Sequence, residues 1–468
     1  MVSTPSRITP PRGTDYLSSG ADPVSDRSPN QYLLPLTAQV NSDDQLTIGG
    51  VAVSELVKTY GSPLYILDEE GLRAACRQYR EAFKRYYPGE ATVLYASKAW
   101  NCLAICAIAA SEGLGIDVAS GGELYTALQA GVPANRIYFH GNNKSATELA
   151  EALQVGCNVV VDNRLELQTL AQLTQDRGKT ISILIRITPG IECHTHEYIR
   201  TGHIDSKFGF DPNQIEAVLA EIAQQPSLNF QGFHAHIGSQ IFELEPHQDL
   251  PGVMVQWFLK AKNMGLSPSV LNVGGGLGIR YTESDDPPSI EAWVKQVCSA
   301  MVTACDRAQI TPPHIICEPG RSLVGSSCIT AYTVGSRKAI PDMRTYIAVD
   351  GGMSDNARPI TYQALYRAVA VDRMTQPCTE TVTLAGKHCE SGDILIQQAQ
   401  FPPLQPGEAI AILATGAYNY SMASNYNRIT RPAAVLVKDG QGEVIIERET
   451  YQDLVKGDRL PDRLKTTS

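Results

Sequence analysis

Residues 93–100 have the sequence Val93-Leu94-Tyr95-Ala96-Ser97-Lys98-Ala99-Trp100. Strand-favouring and small residues lead directly into Lys98, and a helical pattern begins at Leu103. Burial at a strand end disfavours the charged form of a lysine. Such an amine is a candidate nucleophile, above all one that forms a Schiff base with a carbonyl cofactor. The alternative is a solvated strand-end residue, so the assignment depends on the rest of the chain.

Apolar stretches typical of strands recur along the chain, with helical patterns between most of them. Alternating strands and helices over about 250 residues predict a parallel sheet, and about eight such units predict a closed (β/α)8 barrel. One predicted strand therefore lies outside the ring. The alternative, an open doubly wound sheet, lacks its dinucleotide fingerprint after the first strand. The predicted strands are 64–67, 92–96, 115–119, 137–139, 159–162, 181–187, 232–236, 271–273 and 315–317.

The pattern changes beyond Glu318. Helical periodicity fades, and β-rich runs separated by Gly and Pro turns follow at 328–334, 346–349, 381–384, 394–396, 409–413, 433–437 and 444–446. They predict a mostly antiparallel C-terminal β domain, whose sheet the short strand near residue 47 could join. We divide the chain into a disordered leader (1–30), a segment contributing to the β domain (31–61), the barrel (62–320) and the β domain (321–468).

Composition excludes several classes of protein. The chain has 43% hydrophobic and 19% charged residues, as a globular protein does, and its net charge of −10 gives no basic surface for nucleic acid or an anionic membrane. No run of about 18 apolar residues predicts a membrane span. The 11 cysteines show no CxxC pair or zinc-ligand spacing. We expect reduced thiols, a cytoplasmic location and no metal centre.

Polar residues lie at the ends of several predicted strands, where barrels of this kind place their reacting groups. Asp117 precedes a glycine turn into a helix. His234 and His236 alternate along another strand end, before Ser239. The alternation directs both histidines to one side, where one can cover a cofactor ring; the alternative is a pair of packed core residues.

The last two barrel strands are followed by groups suited to anions and to a pyridine. Gly274, Gly275 and Gly276 allow a close backbone approach, with N–H groups turned toward a phosphate; a plain tight turn is the alternative. Glu318 and Arg321 follow the final strand. A carboxylate facing a pyridine nitrogen keeps that nitrogen protonated, and a guanidinium suits a phosphate or carboxylate.

Two stretches of the β domain complete the candidate site. Cys389 lies between ionisable residues and is followed by Glu390. A neighbouring carboxylate disfavours the thiolate, so this cysteine suits a proton donor better than a nucleophile. Tyr418 lies beside a glycine turn. Taken alone, each stretch is equally consistent with an ordinary loop.

These motifs together resemble the diaminopimelate decarboxylases, of the alanine racemase-like, fold type III group of pyridoxal-phosphate enzymes. The resemblance covers about residue 45 to about residue 455 and involves seven motifs in the family's order. They are Tyr-Ala-Ser-Lys, Gly-Ile-Asp-Val-Ala-Ser-Gly-Gly-Glu-Leu, His-Ile-Gly-Ser-Gln, Gly-Gly-Gly-Leu-Gly, Glu-Pro-Gly-Arg, Cys-Glu-Ser-Gly-Asp and Thr-Gly-Ala-Tyr.

The resemblance implies a pyridoxal 5'-phosphate site. Lys98 would hold the cofactor as a Schiff base, His236 would stack on its ring and Glu318 would face its pyridine nitrogen. Ser239 and the three glycines would bind the phosphate. The implied cofactor contacts also include Asp117, Gly320, Arg321 and Tyr418.

The resemblance also implies a substrate site shared between two subunits of a homodimer. Arg321, Arg358 and Tyr362 would clamp a substrate carboxylate; the last two belong to a looser form of the family's Arg-Pro-x-x-Tyr. Tyr418 would contact both cofactor and substrate. Cys389 would donate a proton across the interface, and Glu390 would bind the distant ammonium group.

The reaction implied is decarboxylation of meso-2,6-diaminopimelate at its D centre to L-lysine and CO2. Ornithine decarboxylases share the fold, but their substrate has no distal carboxylate, so an arginine clamp would stay buried and unpaired. Arginine decarboxylase and alanine racemase are more distant alternatives. A catalytically inactive binding protein is another, although such proteins typically lose the lysine or the cysteine.

Overall fold

The computed structural model describes residues 10–17, 28–191 and 206–465. A small antiparallel sheet near the amino terminus consists of β1 (Gln39–Val40), β2 (Leu46–Ile48) and β3 (Val51–Ala52), and helix α1 (Val53–Tyr60) follows. The prediction that the strand near residue 47 joins the C-terminal sheet is therefore wrong. Its buried Leu46 and Ile48 pack instead into the core of the β domain, so this segment contributes side chains to that domain rather than a strand.

Strand β4 (Leu64–Asp68) lies outside the barrel. This confirms the prediction that one of the nine strands is not part of the ring. It belongs to the C-terminal sheet, so the predicted barrel start at residue 62 places this strand in the wrong domain. All five of its residues are buried. An apolar run buried on both faces has the same pattern in either sheet, which is why the sequence did not separate the two possibilities.

Eight parallel strands close the predicted barrel in the order β10-β11-β12-β5-β6-β7-β8-β9. One inward-facing residue from each of six strands fills its interior: Leu94, Tyr138, Val160, Leu184, Val270 and Ile316. The strands are β5 (Ala91–Ala96), β6 (Gly115–Val118), β7 (Ile137–Phe139), β8 (Asn158–Val161), β9 (Ile181–Arg186), β10 (Leu228–His234), β11 (Val270–Asn272) and β12 (His314–Cys317).

Several of the barrel helices begin at recognisable capping residues. At helix α5 (Ala146–Val155), the Ser145 hydroxyl accepts the Glu148 N–H, and the Glu148 carboxylate accepts the Ser145 N–H. Gly156 ends the same helix in the left-handed region, with φ 80°. The other helices are α2 (Glu69–Tyr86), α3 (Leu103–Ser111), α4 (Gly121–Gln129), α6 (Arg164–Arg177), α7 (Pro212–Ala223), α8 (Glu245–Asn263) and α9 (Ile290–Ala308).

The C-terminal domain is the predicted mostly antiparallel sheet, in the order β17-β16-β14-β13-β4-β19-β20, with β18 pairing β13 and β15. Only the β14–β16 and β4–β19 pairs are parallel. The strands are β13 (Cys328–Ile340), β14 (Arg344–Val349), β15 (Ala368–Ala370), β16 (Glu380–Ala385), β17 (Ile394–Phe401), β18 (Ala409–Ile412), β19 (Ala433–Lys438) and β20 (Gln441–Ile446). The helices are α10 (Arg321–Val324), α11 (Arg358–Tyr362) and α12 (Tyr451–Val455).

Part of the leader is ordered and packed against the domains. The Thr14 N–H donates to the Met374 carbonyl at 3.1 Å, and Ser28 and Asn30 are fully buried. The predicted disorder of residues 1–30 is therefore wrong for 10–17 and 28–30, because their polar groups find partners in the folded chain. For 1–9 and 18–27 that prediction lies outside the described residues.

Two further expectations concern the whole chain. Within the described ranges, no helix combines the length and apolar content needed to cross a membrane. The ten cysteines in those ranges are free thiols, and eight of them are buried.

Candidate active site

A cavity of about 660 Å³ opens at the carboxyl ends of the barrel strands, against the C-terminal domain. This volume is in the range of small-molecule and cofactor sites. The residues around it come from distant parts of the sequence because parallel strands end at the same rim. Predicted site residues that line it are Lys98, Asp117, His236, Ser239, Gly276, Glu318, Gly320, Arg321, Arg358, Tyr362 and Tyr418.

Lys98 does not close a buried strand as expected. Strand β5 ends at Ala96, and a single 3-10 turn (Ser97–Ala99) turns the Lys98 side chain into the cavity, where it is exposed. Asp117 is the nearby acid at the next strand end. Burial raises the pKa of Asp117 to about 6, while His140 and Lys98 act in the opposite direction. The amine is thus accessible to a ligand, and it shares the cavity with the Asp117 carboxyl group.

Glu318 is buried and surrounded by hydrogen-bonding groups from three strand ends. One carboxylate oxygen lies 2.8 Å from His140 Nε2 and 2.6 Å from Asn272 Nδ2, and the other lies 3.0 Å from His234 Nε2. Burial favours the neutral acid, but His140 and His234 hold the pKa of Glu318 well below its ordinary range. Glu318 is therefore a fixed negative charge facing the cavity.

His140 and Asn272 were missed as site residues in the sequence, and His234 was not recognised as a partner of Glu318. His140 directly follows β7 and Asn272 ends β11. Applying the strand-end rule to every strand would have found both. Their role as partners of Glu318 depends on which strands are neighbours in the barrel. The sequence pattern does not show this strand order.

His236 lies beside the glycine turn with a neutral ring. Burial and the nearby Lys98 place the pKa of His236 well below its ordinary value. Its Nδ1 accepts the Gly275 N–H at 3.2 Å, which assigns the proton of the neutral ring to Nε2. An uncharged imidazole can lie against an aromatic cofactor without placing a cation on the ring face.

The glycine turn differs in part from the phosphate cradle predicted. The Gly274 N–H donates to Asn272 Oδ1 at 2.9 Å and the Gly275 N–H donates to His236, so both bind side chains rather than point into the cavity. Only Gly276 lines it. Glycine is still required: a Cβ at Gly274, whose φ is 67°, would lie 2.7 Å from the Ala235 carbonyl oxygen.

Two buried arginines face the cavity from the C-terminal side. Arg321 donates to Ser239 Oγ at 3.0 and 3.2 Å and to the Tyr281 hydroxyl at 2.6 Å. Arg358 donates to the Tyr366 hydroxyl at 2.6 Å. Tyr281 and Tyr366 were not predicted, and both lie in loops without a local signal. Together the arginines give this wall of the cavity two positive charges.

Tyr418 connects the β domain to the lysine turn. Its N–H donates to the Ala99 carbonyl at 2.7 Å, and its φ of 71° is in the left-handed region. The Arg321 guanidinium carbon lies 4.8 Å from the centre of its ring, a cation–π distance.

Cys389 and Glu390 are exposed and do not line the cavity. The loop that contains them is nevertheless fixed. Asp393 accepts the His388 N–H at 2.9 Å and lies 2.7 Å from His388 Nδ1, while the Cys389 N–H donates to Asn427 Oδ1 at 2.8 Å. The proton-donor role of Cys389 stays a prediction that requires a second subunit.

The arrangement fits pyridoxal phosphate. An amine, an ionised carboxylate, a neutral imidazole and a hydroxyl–guanidinium pair surround one cavity. Each carboxylate oxygen can accept two hydrogen bonds, so the Glu318 oxygen paired with His234 retains capacity for a pyridinium N–H. His140, His234 and Glu318 also lie close enough to resemble a metal triad, but their mutual contacts account for the cluster.

Comparison with known proteins agrees with this chemistry. Residues 70–325 match the family described as pyridoxal-dependent decarboxylase, pyridoxal binding domain. The chain is 59% identical to the diaminopimelate decarboxylase of Synechocystis sp. (99% of this chain, 100% of the relative) and 46% identical to that of Bacillus subtilis (90% and 97%).

The structure superimposes on diaminopimelate decarboxylase from M. jannaschii with a TM-score of 0.85 at 32% identity, covering 92% of this chain and 99% of that one. That protein has also been solved in a co-complex with L-lysine. Both the level of identity and the nearly complete coverage are sufficient to assign the family, and the chain belongs to the diaminopimelate decarboxylases.

Proposed function

We propose that this chain decarboxylates meso-2,6-diaminopimelate at its D centre and releases L-lysine and CO2. The observation that supports this best is the pair of buried guanidinium groups, Arg321 and Arg358, which line the same cavity as Lys98 and Glu318. A substrate with a second carboxylate neutralises them, whereas ornithine has none to offer. The L-lysine complex of the M. jannaschii relative supports the same product.

Lys98, Glu318 and His236 form the cofactor side of the proposed site, together with Asp117, Ser239, Gly276 and Gly320. Pyridoxal phosphate, when bound, supplies an electron-withdrawing ring that accepts the electron pair left when CO2 departs. Lys98 would hold it covalently. Glu318, kept ionised, would hold a proton on the pyridine nitrogen. Ser239 and Gly276 would bind the phosphate, since both line the cavity.

The substrate side would be formed by Arg321, Arg358, Tyr362 and Tyr418 on one subunit and by Cys389 and Glu390 on the other. Arg321 and Arg358 would orient the distal carboxylate, and Glu390 would bind the distal ammonium. Loss of CO2 breaks the bond between the carboxylate and the D-centre carbon; the Cys389 thiol would return a proton to that carbon.

A homodimer would bring the exposed Cys389 loop to a partner's cavity. Leu365 lines the cavity yet is 67% exposed, and Ile360 is 42% exposed nearby. Apolar groups at the rim of an open site favour coverage by another protein surface. The cytoplasm is the proposed location, in keeping with the free thiols.

A substrate panel tests the proposed function. The pyridoxal-phosphate-loaded protein is incubated separately with meso-diaminopimelate, L-ornithine and L-arginine, and CO2 release is measured. We expect CO2 and L-lysine from meso-diaminopimelate alone, and none from a Lys98→Ala control. Turnover of ornithine alone would reject the proposed substrate.

A further inference from the structure

Arg321 and Arg358 are two buried cations that need an electronegative partner when no substrate is present. Their exposed fractions are 5% and 7%. Over the described ranges, the hydrogen-bond acceptors of the two guanidinium groups are neutral hydroxyl groups of Ser239, Tyr281 and Tyr366 rather than carboxylates. An unpaired buried charge is strongly destabilising. Another group must therefore compensate these charges and hold the two side chains in position.

Tyr281 lies between the two arginines. Its hydroxyl oxygen accepts a hydrogen bond from Arg321 Nη1 at 2.6 Å, and the Arg358 guanidinium carbon lies 5.0 Å from the centre of its ring. Burial raises the pKa of Tyr281, but Arg321 and Arg358 together hold it below its ordinary value. The phenol oxygen thus gives Arg321 a hydrogen-bond acceptor on a ring that the Arg358 guanidinium also contacts.

The backbone around Tyr281 is fixed on both sides. The Tyr281 N–H donates to Asp285 Oδ2 at 3.0 Å, and the preceding Arg280 N–H donates to the Asn30 carbonyl at 3.0 Å. The Tyr366 ring packs edge-on at 5.3 Å between centres. Tyr366 in turn accepts a hydrogen bond from Arg358. The Tyr281 side chain is therefore held in one position beside the two guanidinium groups.

We propose that Tyr281 is a positioning residue that sets the spacing of Arg321 and Arg358 for the distal carboxylate of the substrate, the one retained in the product. This inference rests on the proposed function. Without the phenol oxygen Arg321 loses the hydrogen bond that fixes it relative to Arg358. Part of the binding free energy of a ligand carboxylate is then spent on bringing the two guanidinium groups into position. The loss should therefore affect ligands that have this carboxylate and spare ligands that lack it.

The test compares two product-sized amines in Tyr281→Phe. L-lysine has the carboxylate and cadaverine lacks it. Their affinities for the cofactor-loaded protein are measured by calorimetry, with Tyr86→Phe as a matched control. Tyr86 also hydrogen-bonds through its hydroxyl, to Glu291 at 2.6 Å on the outside of the barrel. We expect the L-lysine affinity to fall about tenfold or more, as for a lost hydrogen bond to a charged group.

Cadaverine affinity should stay unchanged, and in turnover KM should rise much more than kcat falls. Equal weakening of both amines, or unchanged L-lysine binding, would overturn the inference. If Tyr281→Phe does not fold, Tyr281→His retains a ring with an acceptor and is expected to show a smaller but equally selective loss. Absence of CO2 release by the wild-type protein would reject the proposed function itself, whereas an active wild type with a normal Tyr281→Phe rejects only this role.

Discussion

Glu318 shows what a single residue requires to stay charged in a barrel. The residue is 7% exposed, so the ionisation of its carboxylate depends on the donors around it rather than on water. His140, His234 and Asn272 supply them from three different strands. The order of the strands in the barrel brings residues far apart in sequence to hydrogen-bonding distance of this one acid; His234 Nε2, for example, lies 3.0 Å from a Glu318 oxygen. These donors keep Glu318 charged at the position proposed for the pyridine nitrogen.

Replacing Glu318 with Gln tests this charge. The amide is nearly the same size but cannot hold a proton on a pyridine nitrogen by electrostatic attraction. We expect kcat to fall by about 100-fold or more, an effect typical of losing a preorganised charge at the reacting centre. The control is Glu291→Gln, on the barrel exterior, which should retain full turnover. Wild-type kcat in Glu318→Gln would contradict the assignment.

His247 should make stability depend on pH without taking part in the reaction. It is 2% exposed, packs against Trp293 with ring centres 5.3 Å apart, and burial lowers its pKa to about 3. In the unfolded chain the pKa of His247 is near 6.5, so below that pH the proton binds the unfolded state preferentially. The free energy of unfolding is therefore highest above pH 6.5 and decreases as the pH falls toward 3. At pH 5 the loss is about 2 kcal/mol.

Melting temperatures at pH 7.5 and pH 5 measure this effect. His247→Phe removes the titrating group and keeps a packed ring, so its decrease in Tm between the two pH values should be smaller than that of the wild type. An equal decrease in both proteins would show that His247 does not contribute.

Among the elements, the segment around Pro29–Gln31 connects the amino terminus to the active-site loop. Asn30 Nδ2 donates to the carbonyls of Gly278 and Pro288 at 3.1 and 2.9 Å, and the Asn30 carbonyl accepts the Arg280 N–H. These bonds span the loop that contains Tyr281. The leader thus has a structural role that its composition did not indicate.

Asn30→Ala should destabilise the protein by about 1–3 kcal/mol, because a buried carbonyl of Gly278 and a partly buried carbonyl of Pro288 lose their donor. Asn158→Ala is the matched control, since Asn158 also donates to two carbonyls but is only partly buried. The Tm of both variants is compared with wild type. An equal or larger loss in the Asn158 variant would contradict the assigned role.

The sequence predicted most strands because strand and helix periods differ, and it predicted less well how the strands pair. Strand β4 was assigned to the barrel domain but belongs to the C-terminal sheet, and the strand near residue 47 was assigned to that sheet but lies in a small sheet of its own. Short apolar runs give no information about their neighbours. Tyr281 and Tyr366 were missed for the same reason: their importance comes from Arg321 and Arg358, which other loops supply. Lys98, Glu318 and His236 were predicted because strand ends in a barrel share one rim.

At the scale of the molecule, both domains form the cavity while Cys389 remains outside it. Arg321 and Arg358 enter from α10 and α11, and Tyr418 bonds to the lysine turn across the domain boundary. The exposed Cys389 loop and the open cavity are thus two halves of one proposed site that a single chain keeps apart. A second copy related by two-fold symmetry would complete both sites at once.

Co-expression of two differently tagged chains tests this sharing directly. A purified heterodimer of Lys98→Ala with Cys389→Ala contains one site with both residues intact if the cysteine crosses the interface, and none if it does not. We expect about half of wild-type activity, one of the two symmetric sites. The reverse arrangement, a doubly substituted chain with a wild-type partner, should be nearly inactive because its only intact Lys98 faces a chain that lacks the thiol. If instead this second heterodimer is the half-active one, each chain supplies its own cysteine and the site is not shared.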